Sequence, residues 1–446
     1  MRTSHTDSTR VVRIAYAVGV ALTLCSANIV TAQASPGEEG PFLIKGGTIV
    51  NPDGPRMPNT NILIRNNRIV AIGAAAVAAN AKVIDATGKF VYPGMIDANT
   101  GIGLQEIGGV QTMSLRSEMG EFNPHMRALV ALNVESEILG VTRMNGVTTV
   151  MTSPTGGAIS GQAALINTAG WTWEDLAVTR GTGMIMNPPG LNGGGGRGGR
   201  GGGGGRGGFG GVDPAAAARA AMEFESFMTT AKTYHTNRLA GAVKKDIIYE
   251  AMRPVFAKEI PAIITANGET AIRNAIAFGE KWGVRVVILG GADAWKVRKT
   301  LAEKSIPVIL GPIEQAPGDD VPYDAIYAQP GLLYDAGVKF AFSTGNGSNA
   351  RHVAFHAALA VAYGLSADGA LKALTLWPAE MLGADKEIGS IATGKLANLF
   401  ITTGDPLDLR TQVVEVFIKG REVPNDDRHN RLYLKYKARP KTVTVP

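Results

Sequence analysis

Cysteine is nearly missing from this sequence, with one in 446 residues, at Cys25. Disulfide stapling is therefore excluded, as are thiol catalysis and a cysteine-ligated zinc site in any product that begins after that residue. Histidine is also scarce: beyond residue 34 there are five, His125, His235, His352, His356 and His429. No clustered basic face is visible. The formal charge of +6 falls to +4 once residues 1–34 are set aside, and Arg197, Arg200 and Arg206 of one glycine tract supply three of those four. That distribution gives no reason to expect a nucleic-acid partner. A single apolar run is long enough to interest a membrane, Ile14 to Leu24, with Arg10 and Arg13 before it and Ala32-Gln33-Ala34 after it. The arrangement predicts a signal peptide over residues 1–34, export to a periplasmic or extracellular location, and no stable membrane span after cleavage. Tyr16, Ser26, Asn28 and Thr31 dilute the run and argue against an uncleaved anchor. Leu24 stands before Cys25 where a lipoprotein would carry a small residue.

What is present reads as two textures. From Phe42 to Asp97 short alternating runs such as FLIKGGTIV and TNILIRNNRIVAIG are broken by Gly46-Gly47 and Asn66-Asn67, punctuation of the hairpin type. The same texture returns in LANLFITTGDPLDL and VVEVFIKGREV, so residues 40–93 and 388–424 are expected to build one small β-sandwich domain together. Between them, over 94–387, buried strand-like runs (VTTVMTS, IPAIITA, VRVVIL, IPVIL, VKFAFST) alternate with helical patterns at Glu269 to Gly283, Asp293 to Lys304 and Arg351 to Tyr363. That order predicts an α/β fold, a (β/α)8 TIM-type barrel, better than an open sheet. One tract interrupts it: Gly190 to Gly211 holds sixteen glycines and three arginines, reads as a flexible excursion and is assigned no chemistry. Asp213-Pro214 then opens an alanine-rich helix. The basic tail, 425–446, is expected to be disordered.

The motif GGTIVNPDGPRMPNTNILIRNNRIVAIG, followed by IDATGKFVYPGMIDANTGIG, resembles the opening of the amidohydrolase superfamily. GLSADGALKALTLWPAEMLGADKEIGSIATGKLANLFITTGDPLD resembles its close, as in the imidazolonepropionase-like and dihydroorotase-like branches. The resemblance covers nearly all of the chain after residue 34. It implies a metallo-dependent hydrolase-like fold and hydrolysis of C–N bonds in cyclic amides, imides and related compounds. One or two divalent ions would sit at the C-terminal mouth of the barrel, polarising the carbonyl and acidifying water. It also implies a ligand set: an HxH pair ending the first strand, a lysine or glutamate on the fourth, a histidine each on the fifth and sixth, and an aspartate on the eighth.

Carried over position by position, that set is replaced. The HxH falls on Asn99-Thr100-Gly101, the fifth-strand turn on Thr265-Ala266-Asn267, the sixth on Gly290 and the eighth on Gly345, with the fourth unplaced. Neutral oxygens and bare glycines make poor ligands, so no cofactor is expected; zinc would need an unconventional site. His352 and His356, four apart, have a chelating spacing but neither an HExxH glutamate nor a third ligand, and their apolar neighbours suit ordinary packing. Asp97, just before the altered motif, is the candidate catalytic carboxylate. Glu106, Glu118 and Glu121 lie farther along the loop and are expected in salt bridges. The expected ligand positions are Asn99, Thr265, Asn267, Thr344, Gly345, Asn346, Gly347, Ser348 and His125, neutral groups apart from the histidine. The turn STGNGSNAR offers an anion the start of a helix. Two functions follow from these residues. One is a metal-free, non-catalytic member that binds a small molecule at the barrel mouth. The other is a hydrolase of carbon–nitrogen bonds other than peptide bonds that works through an unconventional site. The sequence leaves open whether the chain forms a homo-oligomer.

Overall fold

The computed structural model describes residues 37–106, 114–191, 213–315, 321–424 and 426–439. The proposed signal peptide, Cys25 and nearly all of the glycine tract lie outside the described residues.

Six strands come first: β1 (Glu38–Glu39), β2 (Phe42–Ile49), β3 (Met57–Arg65), β4 (Arg68–Ile72), β5 (Lys82–Asp85) and β6 (Phe90–Pro93). Asn66 and Asn67 turn β3 into β4 with φ of 50° and 68°, the left-handed pair that a two-residue hairpin needs. Gly46-Gly47 makes no turn. It sits inside β2, where the pairing with β3 slips between Ile44 and Gly47, so the glycines serve an irregularity in one long strand. After the barrel the chain returns as β15 (Leu399–Thr402), β16 (Val413–Ile418) and β17 (Arg421–Val423), and β15 pairs antiparallel with β6. As expected, both ends of the chain build this β domain, and its nine strands form one continuous ladder, in which β2 pairs with β3, β5 and β6 and joins one part to the other. Phe42, Ile44, Ile62, Ile64, Leu399 and Phe417 fill its own core, with Phe42 and Phe417 edge-on at 5.3 Å.

The barrel strands are β7 (Met95–Thr100), β8 (Val147–Thr152), β9 (Ile159–Asn167), β10 (Ala177–Met186), β11 (Ala262–Ala266), β12 (Val286–Gly290), β13 (Val308–Leu310) and β14 (Phe340–Ala341), neighbours in chain order. The Ala98 N–H donates to the Phe342 carbonyl at 3.1 Å, linking the two ends of the sheet. Each strand sends at least one apolar side chain into a common interior, among them Ile96, Met151, Leu165, Ile185, Ile263, Val287, Ile309 and Ala341. Their neighbours one residue away, such as Ile264, Val286 and Ile288, face the helical layer, the period-two alternation of a strand buried on both sides. The regular strand–helix alternation fails at one place. β9 runs antiparallel to both β8 and β10, so seven strands point one way and one the other. Its link to β8 is too short for the crossover helix that a parallel pair would need.

The helices read from the sequence form at Glu269–Trp282, closed by Gly283 at φ 70°, and at Pro214–Leu239, capped by Asp213 through the Ala215 N–H at 3.0 Å. The third begins as a 3-10 turn, Gly347–His352, before the α-helix Val353–Ala362. The tail is ordered over Arg428–Lys437, a helix held by Arg431 to Glu137 at 2.8 Å, which corrects the expectation of disorder there.

Candidate functional site

Seven strands end at one face of the barrel, and the loops that follow them converge there. β7 brings Asp97, Asn99 and, one residue past the strand, Gly101. Asp97 is fully buried. Its Oδ1 accepts from the backbone N–H groups of Asn99 and Thr344, both at 3.2 Å, and its Oδ2 lies 2.5 Å from Thr344 Oγ1. Burial pushes its pKa up to about 7 against the lowering effect of those hydrogen bonds. The Thr344 hydroxyl has one proton and a second acceptor, the Asn346 carbonyl at 3.0 Å. A neutral Asp97 resolves this competition, since its own proton takes the shorter contact and Thr344 donates to Asn346. Asp97 thus fastens β7 to the turn after β14, enclosed by Thr344 and closed off from solvent.

Asn99 is half-buried, and its Oδ1 accepts from Ser153 Oγ at 2.6 Å, at the end of β8. Its carbonyl accepts from the Gly345 N–H at 3.1 Å. Thr100 points away from the mouth: buried, it donates to the Met151 carbonyl. A Cβ on Gly101 would lie 2.8 Å from Cδ and Nε of Arg116 and 2.9 Å from its Cζ. The half-buried Arg116 side chain therefore lies over Gly101, with Nε 3.4 Å from the Ser153 carbonyl. Burial lowers the guanidinium's pKa, and among the described residues no carboxylate forms an ion pair with it. Nothing in the sequence marked this residue. LRSE is an ordinary loop tetrapeptide, and only the fold shows that it returns to the bare position on the first strand.

The other strand ends follow the same pattern. β10 closes on Met186, and the next residue, Asn187, donates to the Gly157 carbonyl and Ser160 Oγ. The fourth strand therefore presents neither lysine nor glutamate at this end. Thr265 is half-buried and Asn267 exposed after β11. A Cβ on Gly290, at the end of β12 with φ 103°, would lie inside the amide of Asn267. Gly345 has φ 65° and faces the ring of Pro312. The turn after β14 is closed by its own residues: Asn346 Oδ1 accepts from the Ser348 N–H at 2.8 Å, and the Asn346 carbonyl accepts from Asn349. One N–H that an anion would have used is therefore already spent.

His125 is exposed on its loop. His352 ends the 3-10 turn and accepts a hydrogen bond from Arg351 Nε at 3.0 Å, whereas His356 is buried in the following helix with Nε2 3.7 Å from Glu314 Oε2. His352 is thus the residue from which the helix starts and His356 lies one turn inside it, with Glu314 acting on both. Burial lowers the pKa of both, and Glu314 partly opposes this at His356. Among the described residues Glu106, Glu118 and Glu121 do not form the expected salt bridges; they accept hydrogen bonds from Asn133 and Ser136, from the Met119 N–H and from the Ala158 N–H. Among the described residues no three His, Cys, Asp or Glu side chains gather as a metal site would require.

The amidohydrolase family model matches residues 236–423. A dihydroorotase of Pelotomaculum thermopropionicum is 43% identical over 56 residues, 13% of this chain and 13% of that protein. The amidohydrolase tasK of Hapsidospora irregularis is 36% identical over 90 residues, 20% of this chain and 9% of that one. These curated relatives are thus matched over a small part of their length. An amidohydrolase structure from Thermotoga maritima superposes on 86% of this chain and 99% of its own, with TM-score 0.74 and 27% identity. Molinate hydrolase, at 17% identity and TM-score 0.52, shares the fold.

Proposed function

We propose that the chain, which the amidohydrolase family model matches over residues 236–423 and which shares the fold of the Thermotoga maritima amidohydrolase, is an exported member of that superfamily whose barrel mouth binds a small molecule without a metal ion. The observation that carries the reading is the donor set. A divalent ion in this fold needs imidazoles and carboxylates converging on one point. Here Gly101, Gly290 and Gly345 supply no side chain, and Asn99 and Asn267 supply neutral amides. Asp97 is enclosed by Thr344. The space over Gly101 is taken by Arg116 and that over Gly290 by Asn267, so a histidine at either place would collide with what is there. These residues do not fit the metal, and no step of a reaction is derived through it.

What remains is a floor of hydrogen-bonding groups at the place where this architecture puts its ligands. The test is a thermal-shift screen of the protein without residues 1–34 against lactams, cyclic imides, N-acyl amino acids and dipeptides. Any hit is repeated on Asn99→Ala and Asn267→Ala. Binding that weakens at least fivefold in both variants, with no product by chromatography, supports the reading; turnover of any of them removes it. A second reading, a hydrolase of non-peptide C–N bonds, draws on the full-length likeness to the Thermotoga maritima amidohydrolase. It requires turnover that both substitutions reduce. Export is tested by sequencing the N-terminus of the protein recovered outside the cytoplasm, where the expected start is Gln33 or Ser35.

A further inference from the structure

We infer that the face of the barrel opposite the mouth holds a second small-molecule site, whose ligand is an amphipathic organic anion: an apolar body that ends in one anionic group. The inference is independent of the reading of the mouth. A cavity of about 690 Å³ opens where β12, β13 and β14 begin, bounded by residues 284–287, 305–307 and 337–339. That size falls within the range of small-molecule sites, about 300–1,000 Å³. Its walls are largely apolar. Ile276, Val284 and Leu301 belong to the packing between strands and helices, whereas Val287 and Met381 belong to the barrel interior. The cavity thus touches both hydrophobic cores of the barrel, and an apolar body seated there leaves water against a surface that is already formed.

The rim supplies the charge. Lys258, Arg285, Lys304 and Lys339 line the cavity together with two carboxylates, Glu280 and Glu380. Both carboxylates are taken, Glu280 by Lys304 and Glu380 by Lys339 at 2.6 Å. Among the described residues Lys258 and Arg285 have no carboxylate partner, so the lining carries an excess of two positive charges. Arg285 gives one N–H to the Lys258 carbonyl at 3.3 Å, which ties the start of β12 to the chain just after the helix Ile247–Phe256 and leaves the remaining guanidinium donors for a ligand. The helix ends at this face do not consume them. The N–H groups of Gly283 and Val284 both donate to the Gly279 carbonyl, at 2.9 and 3.1 Å, and that of Ile306 donates to the Leu301 carbonyl at 2.9 Å, so these last turns close on their own backbone. Two cations without a counter-charge beside an apolar cavity complement an anionic group on an apolar body, because guanidinium and ammonium groups bind carboxylate and phosphate oxygens. An uncharged apolar ligand would leave the excess charge unanswered, and a bare anion would leave the apolar walls wet.

The probes are octanoate, its uncharged counterpart octanamide, octyl phosphate and acetate, titrated calorimetrically into the purified protein at constant ionic strength. Octanoate or octyl phosphate is expected to bind about tenfold tighter than octanamide, and acetate to give no binding at the same concentrations. The stronger of the two octyl anions assigns the anionic group as carboxylate or phosphate. In the Lys258→Gln, Arg285→Gln double variant the preference over octanamide should vanish. In Ala302→Leu, which fills part of the cavity, all three octyl probes should weaken about fivefold. A photoreactive diazirine analogue of octanoate, mapped by mass spectrometry, should label residues 276–287 or 301–307. Equal affinity for octanamide and both octyl anions, or a preference kept in the double variant, would overturn the anionic character of the ligand. Acetate binding as tight as that of octanoate would overturn its apolar body. Labelling confined to the loops of the mouth, or no binding of any octyl probe at millimolar concentration, would overturn the site itself. Melting of the variants without probe establishes that the losses are local.

Discussion

Asp97 is legible in the sequence as a carboxylate beside the altered motif, but its orientation is not. A residue's place in PGMID does not say whether its side chain is open to the mouth, and here Thr344 encloses it. Its pKa near 7 carries a sign that can be tested. The folded state binds the proton more tightly than the unfolded chain, so the group costs stability as pH rises from about 4 to 7, and the cost is full above that window. Asp97→Asn keeps a donor toward Thr344 and cannot ionise. It should be about 1–3 kcal/mol more stable than wild type at pH 8, the difference shrinking toward pH 5, as read by urea unfolding. A variant less stable than wild type at pH 8 would contradict the raised pKa of Asp97. Gly290 gives the second residue-scale prediction. At φ 103° and under the Asn267 amide, Gly290→Ala should cost about 1–3 kcal/mol in the same assay, and no loss would mean that the amide moves freely.

At the scale of elements, the strands and helices are legible wherever a buried run or a cap has a local physical cause. Asn66-Asn67 and Asp213-Pro214 are read correctly from two letters each because the constraint is local. Gly46-Gly47 is misread because a glycine pair serves a bulge as well as a turn, and the choice depends on β5 and β6, far along the chain. The antiparallel β9 is invisible for a similar reason, since strand direction leaves little trace in a run buried on both faces. One junction joins barrel and sheet through charge. Asp175, after β9, meets Lys419 Nζ at 2.7 Å and Arg421 Nη1 at 2.8 Å. Burial raises its pKa, but these two cations outweigh burial and bring it to about 2. The stabilisation is therefore present above the unfolded pKa near 4 and is lost as pH falls through 2. Asp175→Asn should lose about 1–2 kcal/mol at pH 7, partial exposure having been allowed for, and the gap to wild type should close as the pH is lowered toward 2. Thermal unfolding across that range checks it, and a gap independent of pH would assign the loss to packing.

For the whole molecule, the two ends of the chain close one sheet and the barrel between them closes on itself, so the first, fifth, sixth and eighth strands place Gly101, Asn267, Gly290 and Gly345 around one mouth. The family likeness makes these positions identifiable from the order of residues alone. It cannot reveal what fills the vacated space, because Arg116 comes from a loop with no fixed place in the family pattern. The central claim, that this mouth works without an ion, is tested most directly by elemental analysis. The protein should be purified after export without chelators or a histidine tag, and again after incubation with a modest excess of zinc and desalting. The account predicts less than about 0.1 ion per chain of zinc, iron, manganese or nickel in both samples, well below the full occupancy of a structural or catalytic site. About one tightly held ion per chain, released only by a chelator, would contradict it.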